Sequence, residues 1–142
     1  MLFRSVGVAA SREALFAQSD ILAVTIRLYP DTAGIVKAAD LGCMKPTALF
    51  VNTSRAALVE PGALLAALRH GRPGMAALDV FDNEPVYGAS DPLVEMENVV
   101  ATPHLGYVTR SNLESYFNYA FDQIVAWLAG KPINVVNPAV QD

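Results

Sequence analysis

Ala48-Leu49-Phe50-Val51-Asn52-Thr53-Ser54-Arg55 is the stretch from which the rest of the chain can be read. Four apolar residues follow one another without the alternation of a half-exposed strand, which predicts a short strand covered on both faces, as in a parallel sheet. Four hydrogen-bonding side chains then come in succession, which predicts a loop at the strand's carboxyl end. The same design recurs on either side. Ile21 to Ile26 is an apolar, partly β-branched run, Met75 to Val80 is another, and Asn98 to Thr102 is a short fourth. The segments between carry helix signals. Ser11 to Ala17 opens on a capping serine, and Gly34 to Met44 is closed by Lys45-Pro46. Pro61 to His70 has proline at its opening, Leu64, Leu65 and Leu68 on one face, and Gly71 behind it. Thr109 to Ala129 sets Leu113, Phe117, Phe121, Ile124 and Leu128 at helical spacing and stops at Gly130-Lys131-Pro132. Strands alternating with helices predict an α/β fold built as a doubly wound parallel sheet.

Composition narrows the function classes. A 142-residue chain suits one domain, and 53% hydrophobic against 17% charged residues excludes disorder by composition. The formal net charge is -4 and no basic cluster is present, so neither nucleic acid nor an anionic membrane is an expected partner. No apolar run approaches the ~18 residues of a membrane span, and the start lacks a signal peptide's apolar core. The single cysteine, Cys43, cannot form an internal disulfide, which fits a reducing cytoplasm; its apolar helical surroundings predict a small core residue. No metal site is expected.

In a doubly wound sheet, ligands bind beyond the carboxyl ends of the strands. Residues 25–30, 52–55, 79–84 and 103–107 form those loops, and they hold nearly every unusual polar residue of the chain. Arg55 follows the second strand. Its planar fork can grip one carboxylate with two parallel hydrogen bonds, although a loop arginine serves equally well in a surface ion pair. Asp79 ends the third strand, where it needs a donor: a bound amide or, more plainly, a helix N-terminus. Glu84 precedes Pro85, which favours an extended backbone. Of the two histidines, His70 ends a helix before Gly71, a common place for a cation that needs no chemistry. His104 instead sits between Pro103 and Leu105-Gly106, an expected glycine turn at the ligand edge. Imidazole exchanges protons near neutral pH, and a neighbouring carboxylate favours its charged, proton-donating form. Arg55, Glu84 and His104 thus come from three successive strand ends. Together they can hold a small acid with its carbonyl facing an acid–base group.

From about Ala17 to Pro138 the sequence resembles the D-isomer-specific 2-hydroxyacid dehydrogenases, the group of phosphoglycerate dehydrogenase and the glyoxylate/hydroxypyruvate reductases. The stretches that carry the resemblance are Ser19 to Leu22, Met44-Lys45-Pro46, Val51 to Arg55, Ala77 to Phe81 with Glu84-Pro85, Asn98 to Val100 with Thr102-Pro103-His104, and Val135 to Pro138. The resemblance implies the C-terminal part of an NAD-binding Rossmann domain and an oxidoreductase that transfers a hydride between NAD, or NADP, and a small 2-hydroxy or 2-keto acid. It implies that Arg55 binds the substrate carboxylate, that His104 is the acid–base residue, and that Glu84 holds its imidazole. It places Asp79 near the nicotinamide ring, with Thr53, Ser54, Arg55, His104, Gly106 and Tyr107 lining the cofactor. It also implies a homodimeric parent. Ala56 stands where the family usually has glycine, and Thr25 where it often has histidine. Arg27 matches a tolerated variation and reads as a solvated strand-end charge. Glu84 separates the chain from the similar formate dehydrogenases, which typically carry glutamine there. Corepressor relatives that bind NAD keep the same three residues, so an NAD-binding regulator is the alternative function.

The Gly-x-Gly-x-x-Gly turn that cradles a pyrophosphate, and the acid that follows it, do not occur in these 142 residues. The expectation is an incomplete Rossmann domain over residues 1–142 that lacks the first strands. Met1 to Ser5 is expected to be a non-native start, and residues 131–142 a tail that would return to an absent substrate domain. Such a fragment is expected to leave an apolar face uncovered and, alone, to bind NAD weakly and be inactive.

Overall fold

The computed structural model describes residues 7–88 and 90–138, in two units that meet in sequence after Gly106. The expected non-native start lies outside the described residues. In the first unit, Ser11 caps helix α1 (Arg12–Gln18) by accepting a hydrogen bond from the Ala14 N–H at 3.0 Å. Strand β1 (Ile21–Val24), helix α2 (Ala38–Cys43), strand β2 (Leu49–Asn52), helix α3 (Ala63–Arg69) and strand β3 (Met75–Leu78) follow. A 3₁₀ turn at Pro92–Glu95 then leads to strand β4 (Val99–Ala101). All four strands are parallel and lie in the order β1-β2-β3-β4, so the α/β sheet advances in one direction, as one wing of a doubly wound arrangement.

Register explains which residues form the core. Leu22, Phe50 and Ala76 are aligned, as are Val24, Asn52 and Leu78, and all six are buried. Phe16 of α1, Leu41 of α2, and Leu64, Ala67 and Leu68 of α3 pack on that face. The opposite face carries Ile21, Met75 and Val100, which are exposed, and Leu49 and Val51, which are half-buried. The strands are therefore not covered on both faces, as the unbroken apolar runs predict; helices of this unit cover one face only.

Several elements are shorter than the sequence predicts, β3 ending at Leu78 and α3 beginning at Ala63 among them, and β1 and α2 show the reasons. β1 ends at Val24 because its neighbour ends at Asn52, its ladder partner, and no strand remains for Thr25 and Ile26 to pair with. The helix expected from Gly34 begins only at Ala38. Gly34 has φ of 58°, and Val36 pairs with Val59 through bonds of 2.9 Å to Leu58 and from Glu60. That bridge spends the backbone groups a helix would need. Asp40 then caps the shortened helix by accepting from the Lys37 N–H at 2.7 Å. The same carboxylate takes Arg12 Nε at 2.7 Å and Nη2 at 2.5 Å, a two-pronged pair joining α1 to α2. Arg12 lowers the Asp40 pKa from its ordinary value, and its own is raised in return. Glycine is required at one tight crossing, because a Cβ on Gly74 would lie 1.9 Å from the Pro46 carbonyl oxygen.

The second unit opens at Tyr107. Its helix α4 (Arg110–Leu128) is capped by Thr109, whose hydroxyl accepts from the Asn112 N–H at 3.2 Å. Phe117 and Phe121 stack along it with ring centroids 6.4 Å apart. The apolar series at helical spacing leaves Leu113, Phe117, Phe121, Ile124 and Leu128 exposed.

Candidate active site

Three strand ends of the first unit deliver the polar residues. β2 is followed by Thr53, Ser54 and Arg55, β3 by Asp79 and the loop to Glu84, and β4 by Thr102, Pro103 and His104. His104 and Glu84, twenty residues apart in sequence, meet directly, with Nδ1 of the ring 2.6 Å from Oε2 of the carboxylate. The other carboxylate oxygen, Oε1, accepts from the Phe81 N–H at 2.8 Å. Glu84 is thus held at both ends, with the backbone on one side and the imidazole on the other. The Phe81 N–H, then the His104 bond, hold its pKa below the ordinary glutamate value against the opposing effect of burial, and the charge of Arg55 acts in the same direction. Arg55 is exposed, and its Nη1 donates to the Ser54 carbonyl at 2.6 Å.

His104 has φ of 54°, a left-handed conformation uncommon for a residue with a Cβ. The sequence suggests a glycine turn here. The positive φ values fall instead on His104 and, at 66°, on Tyr107, and Gly106 needs none. What holds His104 in this conformation is Asp79, buried at 6% exposure. Its Oδ1 accepts from the Thr102 hydroxyl and from the Leu105 N–H at 2.7 Å, and its Oδ2 accepts from the Gly106 N–H at 2.9 Å. These donors bracket His104 in the chain. Burial alone would push the Asp79 pKa up, but the three hydrogen bonds prevail and leave it lowered. The donor that Asp79 needs is therefore the His104 loop itself, not a helix N-terminus.

Of the other expected residues, Thr53 is exposed at the same edge, and the Ser54 hydroxyl donates to the Ile26 carbonyl at 2.7 Å, tying the loop after β2 to the loop after β1. Tyr107 belongs to the second unit, where its carbonyl accepts from the Thr109 N–H at 2.9 Å. His70 ends α3, as its sequence position suggests, and Arg27 is exposed with Nη1 3.1 Å from the Tyr29 hydroxyl. Sequence reasoning missed Thr102 and Asn52, the polar residues that end apolar strands. Among the described residues only Asn52 and Asp79 are buried polar side chains, and both lie at the carboxyl edge. Beside His104 and Glu84 opens a groove of about 530 Å³, walled mainly by Phe81, Pro85, Val86, Val94 and Pro103. No group of histidine, cysteine and acidic side chains suited to a metal occurs among the described residues. None of their helices is long and apolar enough to cross a membrane.

This parallel α/β sheet has close counterparts among known proteins. Residues 3–106 match the family described as D-isomer specific 2-hydroxyacid dehydrogenase, NAD binding domain, and the chain belongs to that family. It is 41% identical to the glyoxylate reductase of Aeropyrum pernix over 92% of this chain and 39% of that protein. It is 34% identical to the hydroxypyruvate reductase of Blautia hydrogenotrophica over 87% of this chain and 38% of that one. A solved structure of an oxidoreductase from Ralstonia solanacearum superposes with a TM-score of 0.88 at 52% identity, over 95% of this chain and 39% of that one. A phosphoglycerate oxidoreductase from Vibrio cholerae gives 0.80 at 45%, over 86% of this chain and 39% of that one. The chain thus spans about two fifths of the length of the relatives it matches.

Proposed function

We propose that this chain carries the acid–base and carboxylate-binding part of an NAD-linked dehydrogenase acting on small D-2-hydroxy or 2-keto acids. The observation that carries the reading is the 2.6 Å contact between His104 Nδ1 and Glu84 Oε2 at the edge where the fold places ligands. Glu84, ionised and fixed by Phe81, orients the ring and leaves Nε2 to exchange a proton with the substrate oxygen. Arg55 receives the substrate carboxylate and sets its carbonyl against the imidazole. The residues present fit the nicotinamide end of the cofactor. Asp79 Oδ2 accepts one donor among the described residues, so it has acceptor capacity for a carboxamide N–H. Thr53, Ser54 and the Gly106 backbone line the same edge. NAD supplies the hydride; the chain supplies orientation, charge and the proton. The homologues named glyoxylate and hydroxypyruvate reductase support short, unbranched substrates. A dimeric parent and a cytoplasmic setting go with this reading.

The test replaces the matching region of the Aeropyrum pernix glyoxylate reductase with this chain and follows NADH oxidation with glyoxylate and hydroxypyruvate. The hybrid is expected to turn over. Within it, His104→Gln is expected to lower kcat/KM by roughly 10²- to 10⁴-fold, the usual contribution of a general acid. A folded hybrid that binds NADH but reduces neither acid, or one indifferent to His104→Gln, defeats the proposal.

A further inference from the structure

We propose that Asn52 is a positioning residue that sets where the Arg55 guanidinium stands, acting through two hydrogen bonds to the backbone of the turn that carries it. Asn52 is the last residue of β2 and only 2% exposed. A buried side-chain amide is costly unless its donor and acceptor are both used. Here both ends go to one place: Oδ1 accepts from the Ser54 N–H at 3.0 Å, and Nδ2 donates to the Arg55 carbonyl at 3.0 Å. The strand itself is fixed on either side, since Asn52 pairs in register with Val24 and with Leu78. The amide therefore transfers the rigidity of the sheet to the two peptides that flank the Ser54–Arg55 bond in an exposed loop. Arg55 hooks back onto this held segment, with Nη1 donating to the Ser54 carbonyl at 2.6 Å, and the Ser54 hydroxyl anchors the turn to Ile26 at 2.7 Å. A polar residue kept only for packing would gain nothing by spending both ends on that turn, and valine or leucine would fill a buried strand position without a polar cost. Asn52 does for Arg55 what Asp79 does for His104. The consequence for substrate rests on the function proposed above; the positioning itself does not.

The test uses the 142-residue chain labelled with ¹⁵N, with oxamate as the carboxylate probe. In the unaltered chain the Ser54 amide is expected to be protected from exchange and the Arg55 Nε–H to be ordered on the nanosecond scale. Asn52→Asp keeps the acceptor for Ser54 and loses the donor for Arg55, so Ser54 protection should persist while Arg55 order falls. Asn52→Ser should lose both. In folded variants, judged by intact amide protection at Phe50 and Ala76, oxamate binding should weaken by roughly two- to tenfold, the worth of one hydrogen bond. Unchanged Arg55 order in a folded variant overturns the proposal. So does a Ser54 amide that exchanges at a free-loop rate in the unaltered chain, which decides the matter even if the variants do not fold. If Arg55 ignores oxamate from the start but loses order in the variants, the Asn52 assignment stands and Arg55 as the carboxylate receptor falls.

Discussion

At the residue scale, two positions are governed by how closely groups approach. Gly74 faces the Pro46 carbonyl so tightly that Gly74→Ala would place a carbon 1.9 Å from that oxygen. The backbone would have to move, and the variant should lose about 3 kcal/mol of stability, readable from its urea midpoint. The hydrogen-bonded carboxylates set the acid limit. Asp40, Asp79 and Glu84 all have lowered pKa values in the folded chain. A depressed folded pKa contributes stability that is fully present above the unfolded value, near 4, and is lost as pH falls through the folded one. Stability should therefore be level near neutrality and fall below about pH 4. Asp40→Asn should cost about 1 kcal/mol at neutral pH, the pair with Arg12 being half-exposed, and should flatten the acid fall. An equally steep fall in that variant would count against the Arg12–Asp40 pair as a contributor.

At the element scale, β2 is the centre of the first unit and α4 stands apart from it in character. Phe50 is fully buried between aligned Leu22 and Ala76, so Phe50→Ala should cost about 4 kcal/mol. Phe117 on α4 is 61% exposed, so Phe117→Ala should change stability by less than about 0.5 kcal/mol. Chemical denaturation of the two variants separates them, and equal losses would contradict the burial of one or the exposure of the other. The elements also show where local signals were enough. The Ser11 cap and the end of α3 before Gly71 lie where the sequence puts them. The start of α2 does not, because the bridge between Val36 and Val59 joins segments more than twenty residues apart, and helical spacing says nothing about that.

At the scale of the whole molecule, apolar surface is the dominant feature. One face of the sheet presents Ile21, Met75 and Val100, and α4 presents Tyr116, Phe117, Ile124, Trp127 and Leu128. Exposed apolar surface of this kind, on either unit by itself, binds hydrophobic dyes and favours association. The native chain should enhance the fluorescence of anilinonaphthalene sulfonate, and the triple variant Ile21→Lys, Met75→Lys, Val100→Lys should reduce that signal while retaining native circular dichroism. A native chain that leaves the dye dark would contradict the exposure.

The sequence by itself determined the α/β alternation, the four strands, and the loops that hold Arg55, Glu84 and His104, because each depends on local composition and on which residues sit next to a strand end. The tertiary structure decided what those residues meet. The contact of His104 with Glu84, the three donors around Asp79, and the two bonds from Asn52 to the Arg55 turn all span the carboxyl edge or close a loop against it. It also decided that the apolar strands are covered on one face, since a run of hydrophobic residues records that a strand can be buried, while burial itself requires a partner from elsewhere in the fold.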